Sequence, residues 1–318
     1  MTGISIIATG SQPAAQVVTN DHLAKLVDTS DQWIATRTGI RQRRFAGPEE
    51  DTTSLAIGAA RAAVEQLEKS GRGREEIGAV LVATFSPGSL VPSTACLVQR
   101  ELGLPEDLFA LDINAACTGF LSGLRLCQGL LAQQPERLAL LVGAEAISRL
   151  VDFGDRGTCI LFGDGAGAAV VAAGPDRPFF CAFGARGDGE VLRCPGVRPG
   201  GGPGPVTMEG REVFRFAVEA IPKGIAAVLA QSGSSLWDID WFVCHQANAR
   251  ILAHAAKAMG VPEERFFMNL DRYGNTSAAS IPIALDEMAK KGLLKKGQRL
   301  MLAGFGGGLT WGAAELIW

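Results

Sequence analysis

The stretch LGLPEDLFALDINAACTGFLSGLRL (residues 102–126) contains, in order, a turn, a short apolar strand, a second turn rich in small residues and the start of a helix. A second stretch, MGVPEERFFMNLDRYGNTSAASIPIALDEM (259–288), repeats this order. The similarity between the two stretches includes the linker at the start of each. A duplicated unit accounts for the shared order of elements and for the shared linker. We therefore predict a protein made of two similar halves.

Strands and helices alternate around both stretches. The predicted strands of the first half are IGAVLVAT (77–84), LFALDI (108–113) and LALLVGAE (138–145), and those of the second half are IDWFVCH (239–245), FFMNLD (266–271) and RLMLAGF (299–305). Helical segments lie between these strands, and each half closes with a Gly-rich turn and a last strand. This alternation predicts an α/β fold with parallel sheets covered on both faces.

The two halves divide near residue 173. We expect an N-terminal half over residues 1–172 and a C-terminal half over residues 173–318. The segment CPGVRPGGGPGPV (194–206) is too rich in Pro and Gly for regular structure and is interpreted as a surface loop.

The composition of the chain argues against several classes of protein. The chain has 318 residues, 47% hydrophobic residues and a formal net charge of −3, which gives no general attraction to nucleic acid or to an anionic membrane. No apolar run is long enough for a membrane span, and the first residues lack the basic region of a signal peptide, so we expect a cytoplasmic protein. The seven cysteines include no C-x-x-C pair and no Cys/His cluster at zinc spacing, which predicts reduced thiols and no metal site.

Three polar residues follow apolar runs in turns made of small residues. They are Cys117 in NAACTGF, His245 in CHQAN and Asn275 in GNTSAAS. In the duplicated arrangement these turns lie at the carboxyl ends of strands, the edge at which open α/β sheets bind ligands. A thiol that attacks a carbonyl, beside two groups that hydrogen-bond a developing oxyanion, is typical of an acyl-thioester enzyme.

Each of these residues alone has a simpler interpretation. An isolated cysteine in such a chain is usually a buried apolar residue, and Cys96, Cys127, Cys159 and Cys244 are interpreted that way. An isolated histidine after a strand is usually a core residue, and an isolated asparagine is usually a helix cap. The combination favours catalysis, and the position of Cys117 before a helix predicts a lowered thiol pKa.

Seven motifs together resemble the β-ketoacyl-acyl-carrier-protein synthase III family, the initiating condensing enzymes of type II fatty acid synthesis. The motifs are TSDQWIATRTGIRQRR (29–44), NAACTGF (114–120), DRGTCILFGDGAGA (155–168), MEGREVFRFA (208–217), CHQANARI (244–251), DRYGNTSAAS (271–280) and GFGGGLTWGA (304–313). The resemblance covers nearly the whole chain. It implies a thiolase-like fold with two pseudo-symmetric halves in α-β-α-β-α layers.

The resemblance also implies a reaction. An acyl-CoA primer acylates Cys117, and malonyl-acyl carrier protein then loses CO2 to give an enolate that attacks the thioester. His245 and Asn275 would hydrogen-bond the malonyl thioester oxygen, and the backbone N–H groups of Cys117 and Gly307 would form the oxyanion hole. No cofactor is implied beyond the CoA thioester substrate.

The remaining site residues are likewise implied by the resemblance. Those assigned to CoA are Trp33, Arg37, Arg156, Gly210, Phe214 and Asn248, with Trp33 and Arg156 on either side of the adenine. A basic patch of Arg215, Arg250 and Lys257 would bind the acidic carrier protein. The acyl pocket would be shaped across a homodimer interface by Leu90 and Val91, whose modest size favours a longer or branched primer over acetyl.

Three alternatives remain open. Cys, His and Asn in this chain order also describe papain-like cysteine hydrolases, although there the nucleophile does not lie between duplicated strand-helix units. A related acyltransferase or polyketide-type condensing enzyme of a specialised pathway would carry the same residues. A non-catalytic partner subunit is disfavoured because all three residues are present.

Overall fold

The computed structural model describes residues 2–197 and 201–318. Its strands are β1 (Gly3–Pro13), β2 (Gln16–Thr19), β3 (Gln42–Phe45), β4 (Ile77–Ala83), β5 (Phe109–Ile113), β6 (Leu138–Glu145), β7 (Gly165–Gly174), β8 (Phe179–Ala185), β9 (Leu192–Arg193), β10 (Thr207–Met208), β11 (Trp241–Cys244), β12 (Arg299–Gly306) and β13 (Thr310–Ile317). Its α-helices are α1 (Asn20–Leu23), α2 (Asp31–Thr38), α3 (Thr52–Lys69), α4 (Thr94–Leu102), α5 (Gly119–Leu131), α6 (Arg156–Cys159), α7 (Gly210–Ser232), α8 (Ala249–Met259), α9 (Leu270–Tyr273) and α10 (Ser280–Lys290).

Two larger sheets have matching strand orders. The first sheet has the order β1-β7-β6-β4-β5, and the second has the order β8-β13-β12-β11. The counterpart of β5 is missing as a strand, because the predicted strand FFMNLD forms only a single bridge between Phe242 and Phe266. The duplication seen in the sequence is therefore present in the sheets, with one outer strand reduced in the second half.

The sheets are mixed, so the prediction of parallel sheets was right only in part. The strands joined through helices are parallel, namely β4 with β5 and β6, and β11 with β12. The closing strands β7 and β13 run antiparallel to β6 and β12. The turn between β12 and β13 spans only three residues, 307–309, which is too short for the crossover that parallel pairing needs.

The elements stack in five layers, α-β-α-β-α, as predicted. One apolar cluster joins α3 and α4 to the outer face of the first sheet, and another joins α7 and α8 to the outer face of the second. Between the sheets, α5 and α10 share a third cluster with β4 and β6 on one side and β11, β12 and β13 on the other. Continuous burial on both faces explains why β6 is apolar along its length except at its last residue, Glu145.

The central helix α10 is buried along most of its length, including its one aspartate. The carboxylate of Asp286 accepts hydrogen bonds from Thr9 Oγ1 at 3.0 Å and Ser11 Oγ at 2.5 Å, and it pairs with Lys290 Nζ at 2.7 Å. A buried carboxylate with this set of partners does not carry the cost of an unpaired charge. The helix can therefore lie buried between the two sheets.

Other predictions from the sequence can be compared with this fold. The predicted boundary after residue 172 falls inside β7, and the division into two domains stays a prediction. Residues 198–200 of the predicted surface loop lie outside the described residues. All seven cysteines are free; Cys96 is exposed, so its interpretation as a buried residue was wrong. Within the described residues, no helix is both long enough and apolar enough to cross a membrane.

Candidate active site

Cys117 lies in a tight turn between β5 and α5. The side chain of Asn114 accepts a hydrogen bond from Ala116 N at 3.2 Å, and Ala116 has a left-handed φ of 45°. A short 3-10 helix, Ala116–Thr118, then leads directly into α5. This geometry directs the chain inward, so that Cys117 is only 7% exposed.

Asn275 lies in a turn of the same kind before α10. Its Oδ1 accepts a hydrogen bond from Ser277 N at 2.9 Å, and Ser277 has a φ of 49°. The 3-10 helix Ser277–Ala279 follows. The Asn275 backbone is also fixed, because its N–H donates to Leu161 O at 2.8 Å and its carbonyl accepts from Gly163 N at 2.9 Å.

His245 directly follows β11 and is buried. Its backbone N–H donates to Ala303 O at 2.8 Å, which extends the pairing with β12 by one residue. The imidazole Nδ1 lies 2.7 Å from Ser280 Oγ, and the ring meets Phe305 edge-on with 5.5 Å between centroids. Burial lowers the pKa of His245 to about 3, so the ring is neutral at physiological pH.

The three predicted residues line one cavity. Cys117, His245 and Asn275 share a pocket of about 80 Å³ with Phe305 and Gly306. A larger cavity, of about 720 Å³, lies elsewhere and is lined by residues 48–52 and 85–90 among others. We place the candidate active site in the smaller cavity because it contains the candidate nucleophile and both candidate hydrogen-bond donors.

The thiol of Cys117 is protonated at neutral pH, so the expected lowering of its pKa was wrong. Burial raises the pKa of Cys117 to about 12, and the charge of Glu145 adds to this, while hydrogen bonding by Ser277 opposes it. Desolvation of a thiolate outweighs the favourable position before a helix. The thiol must therefore lose its proton during the reaction rather than before it.

The end of β12 passes very close to Cys117, just before the Gly-rich turn. A Cβ atom added at Gly306 would lie 2.9 Å from both Cys117 Cβ and Cys117 N, which leaves no room for a side chain. Gly307 follows directly and approaches Ala116 and Leu192. Its assignment to an oxyanion hole together with Cys117 N stays a prediction.

Comparisons with known proteins show the family of the chain. Two family models match, 3-oxoacyl-[acyl-carrier-protein (ACP)] synthase III over residues 111–189 and its C-terminal model over residues 229–318. A relative from Clostridium acetobutylicum, beta-ketoacyl-[acyl-carrier-protein] synthase III, is 44% identical over 328 aligned residues, which cover 100% of this chain and 99% of the relative. The chain belongs to the β-ketoacyl-acyl-carrier-protein synthase III family. It is an acyl-transferring condensing enzyme with a thiolase-like fold.

Solved structures of synthase III proteins superpose over the whole chain. The structure of 3-oxoacyl-[acyl-carrier-protein] synthase III from Aquifex aeolicus has a TM-score of 0.90 and 41% identity, and the match covers 100% of both chains. A priming β-ketosynthase from the R1128 polyketide biosynthetic pathway has a TM-score of 0.91 and 32% identity, with 99% of this chain and 96% of that chain covered.

The residues that the synthase III resemblance assigns to CoA lie in two groups. Gly210, Phe214 and Asn248 line the cavity that contains Cys117. The other three form a surface cluster in which the guanidinium carbons of Arg37 and Arg156 each lie 4.8 Å from the centre of the Trp33 ring. Asn248 joins the groups, since its Nδ2 donates to Arg37 O at 3.1 Å.

The predicted adenine site between Trp33 and Arg156 is closed in this structure. The 4.8 Å separation is the distance of direct cation–π stacking, and a base cannot enter unless one side chain moves. Arg156 is also held by a hydrogen bond from Nη1 to Asp28 O at 2.8 Å. Arg156 is the exposed member of the pair and Trp33 is half-buried, so Arg156 is the side chain expected to move.

The remaining predicted residues lie outside the Cys117 cavity. Arg215 is exposed on α7, and Arg250 and Lys257 are exposed two turns apart on α8. Phe214 of α7 and His254 of α8 are in edge contact, which places these helices side by side. Leu90 and Val91 are 76% and 87% exposed, and Leu90 borders the larger cavity.

Sequence reasoning missed two buried polar residues at the site. Ser280 contacts His245, as described above. Glu145 is fully buried at the end of β6 and accepts hydrogen bonds from Thr84 Oγ1 at 3.1 Å and Ser86 Oγ at 2.5 Å. Burial raises the pKa of Glu145 to about 7. The sequence does mark Glu145 as unusual, because it is the only carboxylate in an otherwise apolar strand.

Within the described residues, no group of His, Cys, Asp and Glu is arranged to hold a metal ion.

Proposed function

We propose that this protein catalyses decarboxylative condensation of an acyl-CoA primer with malonyl-acyl carrier protein through an acyl-Cys117 intermediate. One observation carries the proposal: a thiol, a neutral imidazole and a carboxamide from three separate segments line the same cavity. A cysteine hydrolase would need a base for water, and a neutral His245 with a pKa of about 3 is poorly suited to that role.

The first half-reaction transfers the acyl group. Cys117 sulfur bonds to the primer carbonyl carbon, the bond to CoA sulfur breaks, and the thiol proton leaves with CoA as its free thiol. The backbone N–H groups of Cys117 and Gly307 would hold the oxyanion of the tetrahedral intermediate. The raised pKa of Cys117 favours this coupled transfer because a free thiolate is costly in the buried site.

The second half-reaction forms the carbon–carbon bond. The malonyl group loses CO2, and its electron pair becomes an enolate that attacks the Cys117 thioester. Cys117 leaves as a thiolate and takes up one proton, which returns the thiol to its resting state. His245 and Asn275 would donate hydrogen bonds to the enolate oxygen, and uncharged donors suffice because loss of CO2 generates the carbanion. No cofactor is therefore required.

Surface features support a proposed route for each substrate. CoA would lie from the cluster of Trp33, Arg37 and Arg156 along Asn248 into the cavity. The carrier protein would dock on the exposed basic residues of α7 and α8 next to the cavity, where Arg215, Arg250 and Lys257 complement an acidic surface. The protein would meet both substrates in the cytoplasm.

We infer that the protein works as a homodimer. Among the described residues, no strand pairs with the outer side of the edge strand β5, which carries Phe109 and Leu111, 50% and 37% exposed. Leu90 and Val91 add a second exposed apolar group in the same half of the chain. A second copy that covers these residues would bury both groups and would let Leu90 and Val91 shape the acyl pocket.

Two pathways are candidates for the reaction of this enzyme. Primary fatty acid synthesis is favoured by the 44% identity to the Clostridium protein over the full length. Priming of a specialised polyketide pathway is the second candidate, because a priming β-ketosynthase matches with a TM-score of 0.91. In either pathway, the modest size of Leu90 and Val91 favours a longer or branched primer.

The test is intact-protein mass spectrometry with a panel of acyl-CoAs, on the wild type, Cys117→Ala and a control, Cys127→Ala, which removes a buried thiol outside the cavity. We expect a single acyl adduct on the wild type and the control, and none on Cys117→Ala. Malonyl-acyl carrier protein should then discharge the adduct as a β-ketoacyl-carrier product.

The other outcomes separate the alternatives. An adduct that malonyl-acyl carrier protein does not discharge would identify an acyltransferase with a different acceptor. Hydrolysis of the adduct in buffer alone would identify a hydrolase. An adduct on Cys117→Ala would show that another residue is the nucleophile.

A further inference from the structure

The side chain of Thr118 connects the turn before α5 to the Gly-rich turn after β12. Its Oγ1 lies 3.0 Å from Thr310 Oγ1. Thr118 directly follows the candidate nucleophile and is 2% exposed, whereas Thr310 is half-buried and is the first residue of β13. Among the described residues, this contact is the only side-chain hydrogen bond between residues 114–119 and residues 304–313.

The hydroxyl of Thr118 does not serve the helix that follows it. Thr118 occupies the N-cap position of α5, where a threonine usually accepts a hydrogen bond from the backbone of the first turn. Here the side chain makes no capping hydrogen bond. The residue therefore contributes to the contact between the two turns and not to the start of the helix.

Three contacts share the two hydroxyl protons. Thr118 Oγ1 lies 2.8 Å from Ala115 O, the two hydroxyl oxygens are 3.0 Å apart, and Thr310 Oγ1 lies 3.2 Å from Gly307 O. If both hydroxyls donated to the carbonyls, two oxygen lone pairs would face each other with no proton between them. The other arrangements, in which Thr310 donates to Thr118 or Thr118 donates to Thr310, keep a hydrogen bond between the turns.

This hydrogen bond holds the Gly-rich turn at its far end. At the near end, a Cβ atom at Gly306 would lie 2.9 Å from Cys117 N, so the two backbones already touch there. Beyond the turn, Thr310 is held to Thr118. Gly307 lies between these two points. Both ends of the turn are therefore fixed against the segment that contains the nucleophile.

We propose that Thr118 is a positioning residue for acylation: its hydroxyl, paired with that of Thr310, fixes the distance between the N–H groups of Cys117 and Gly307. Two donors stabilise one oxyanion only while both remain within hydrogen-bond reach of it, so a small displacement of either lowers the rate. Neither threonine lines the cavity, so the effect is indirect. This inference rests on the proposed function, in which these two N–H groups hold the oxyanion.

The first test measures the two half-reactions separately in Thr118→Val, which keeps the shape of the side chain and removes the hydroxyl. We expect acylation of Cys117 by an acyl-CoA to slow by roughly 10-fold, less than the loss of a whole donor would cause. Decarboxylation of malonyl-acyl carrier protein should change by less than about threefold, because it uses other donors. Thr118→Ser, which keeps the hydroxyl, should acylate at close to the wild-type rate.

Infrared spectra of the acyl-enzyme give a readout that does not depend on rates. A ¹³C-labelled acyl group on Cys117 reports hydrogen bonds to its carbonyl oxygen, because these lower the stretching frequency. We expect a lower frequency in the wild type than in a free thioester, and a shift back toward the free value in Thr118→Val.

Thr9→Val is the matched control for Thr118→Val. Thr9 is 3% exposed, and its hydroxyl donates to Asp286 Oδ1 at 3.0 Å, away from the residues that line the cavity. This variant also removes a buried threonine hydroxyl. We expect it to lower the melting temperature without moving the carbonyl band or changing the ratio of the two half-reactions.

Thr310→Val removes the same contact from the other side, and it replaces Thr118→Val in these tests if the latter does not fold. If the hydroxyls act as a pair, the double variant should acylate no more slowly than the slower single variant. Multiplied losses in the double variant or an unshifted carbonyl band would overturn the inference. So would an equal loss of both half-reactions. Absence of acylation in the wild type would contradict the proposed function itself, and this result needs no variant.

Discussion

The turns at residues 114–119 and 275–280 are built alike and do different chemistry. Each begins with an asparagine whose side chain accepts a hydrogen bond from the residue two positions later, and in each that later residue has a φ between 45° and 49°. Each then continues through a 3-10 helix into a central helix. Yet the first asparagine, Asn114, is exposed, whereas Asn275 is 7% exposed and lines the cavity.

The comparison shows which position of a shared turn becomes reactive. In the first turn the fourth residue, Cys117, reaches the cavity, and its counterpart in the second turn is the inert Ala278. In the second turn the first residue, Asn275, reaches the cavity. The backbone therefore provides two equivalent turns, and each places a different one of its positions in the cavity.

The pH dependence of Cys117 alkylation tests the most buried part of the first turn. Because burial raises the thiol pKa to about 12, the thiolate fraction should rise tenfold per pH unit below that value. We expect the rate of iodoacetamide modification at Cys117 to increase about a thousandfold from pH 6.5 to pH 9.5. Peptide mass spectrometry would follow Cys117 separately from the other six cysteines.

A plateau in that rate near pH 7 or 8 would contradict the prediction. It would mean that the turn stabilises a thiolate after all, through the helix that follows or through Ser277. Cys117→Ala, which gives the first turn the residue of the second, is the control that assigns the signal.

Replacing the two corresponding asparagines should have unequal effects. Asn275→Ala should slow condensation by roughly 100- to 1000-fold, because it removes the proposed donor to the enolate oxygen. Asn114→Ala removes the same turn hydrogen bond from an exposed site and should reduce activity by no more than a few-fold. Single-turnover assays on pre-acylated enzyme would compare the two variants. Equal losses would mean that both asparagines serve only the backbone.

The contact between the two turns should limit the size of the side chain that can be placed at position 119. Its counterpart in the second turn is Ser280, and a Cβ at Gly119 would lie 2.9 Å from Ala83 Cβ and 3.2 Å from Ala278 Cβ. Gly119→Ser should therefore lower the free energy of unfolding by about 1–3 kcal/mol through overpacking. Chemical denaturation would measure the change.

Gly129→Ser is the matched control for Gly119→Ser. It lies in the same helix, and an added Cβ meets nothing within 4 Å. We expect this variant to be as stable as the wild type or slightly more stable, because serine favours the helix over glycine. Equal destabilisation by both variants would show that the turns have room to separate.

The two similar α/β halves and the convergence of Cys117, His245 and Asn275 were predictable because they depend on a repeated pattern, whereas the five layers were implied by the family resemblance. Apolar strands alternate with helices in both halves, and small residues mark the same turn twice. The strand FFMNLD was predicted wrongly because its apolar residues satisfy burial without continuous pairing: only Phe242 and Phe266 form a bridge, and their rings stack 4.8 Å apart.

The pKa of Cys117 could not be predicted from its position along the chain. The place of Cys117 before a helix suggested a thiolate, but the pKa depends on how completely the site is desolvated, which is a property of the packed molecule. The contact between Ser280 and His245 could not be predicted from the sequence, because the distance between them depends on how α10 packs against β11.

One consequence follows from the placement of both turns in a single chain. In a symmetric pair of identical subunits, any substitution in one turn would appear in its mate as well. Here each turn is encoded once, so the nucleophile and the donor can be changed separately. For protein engineering, this gives two separately encoded positions: the turn at Asn275 can be varied, within the space left by its contact with Gly119, while the thiol of Cys117 is left intact.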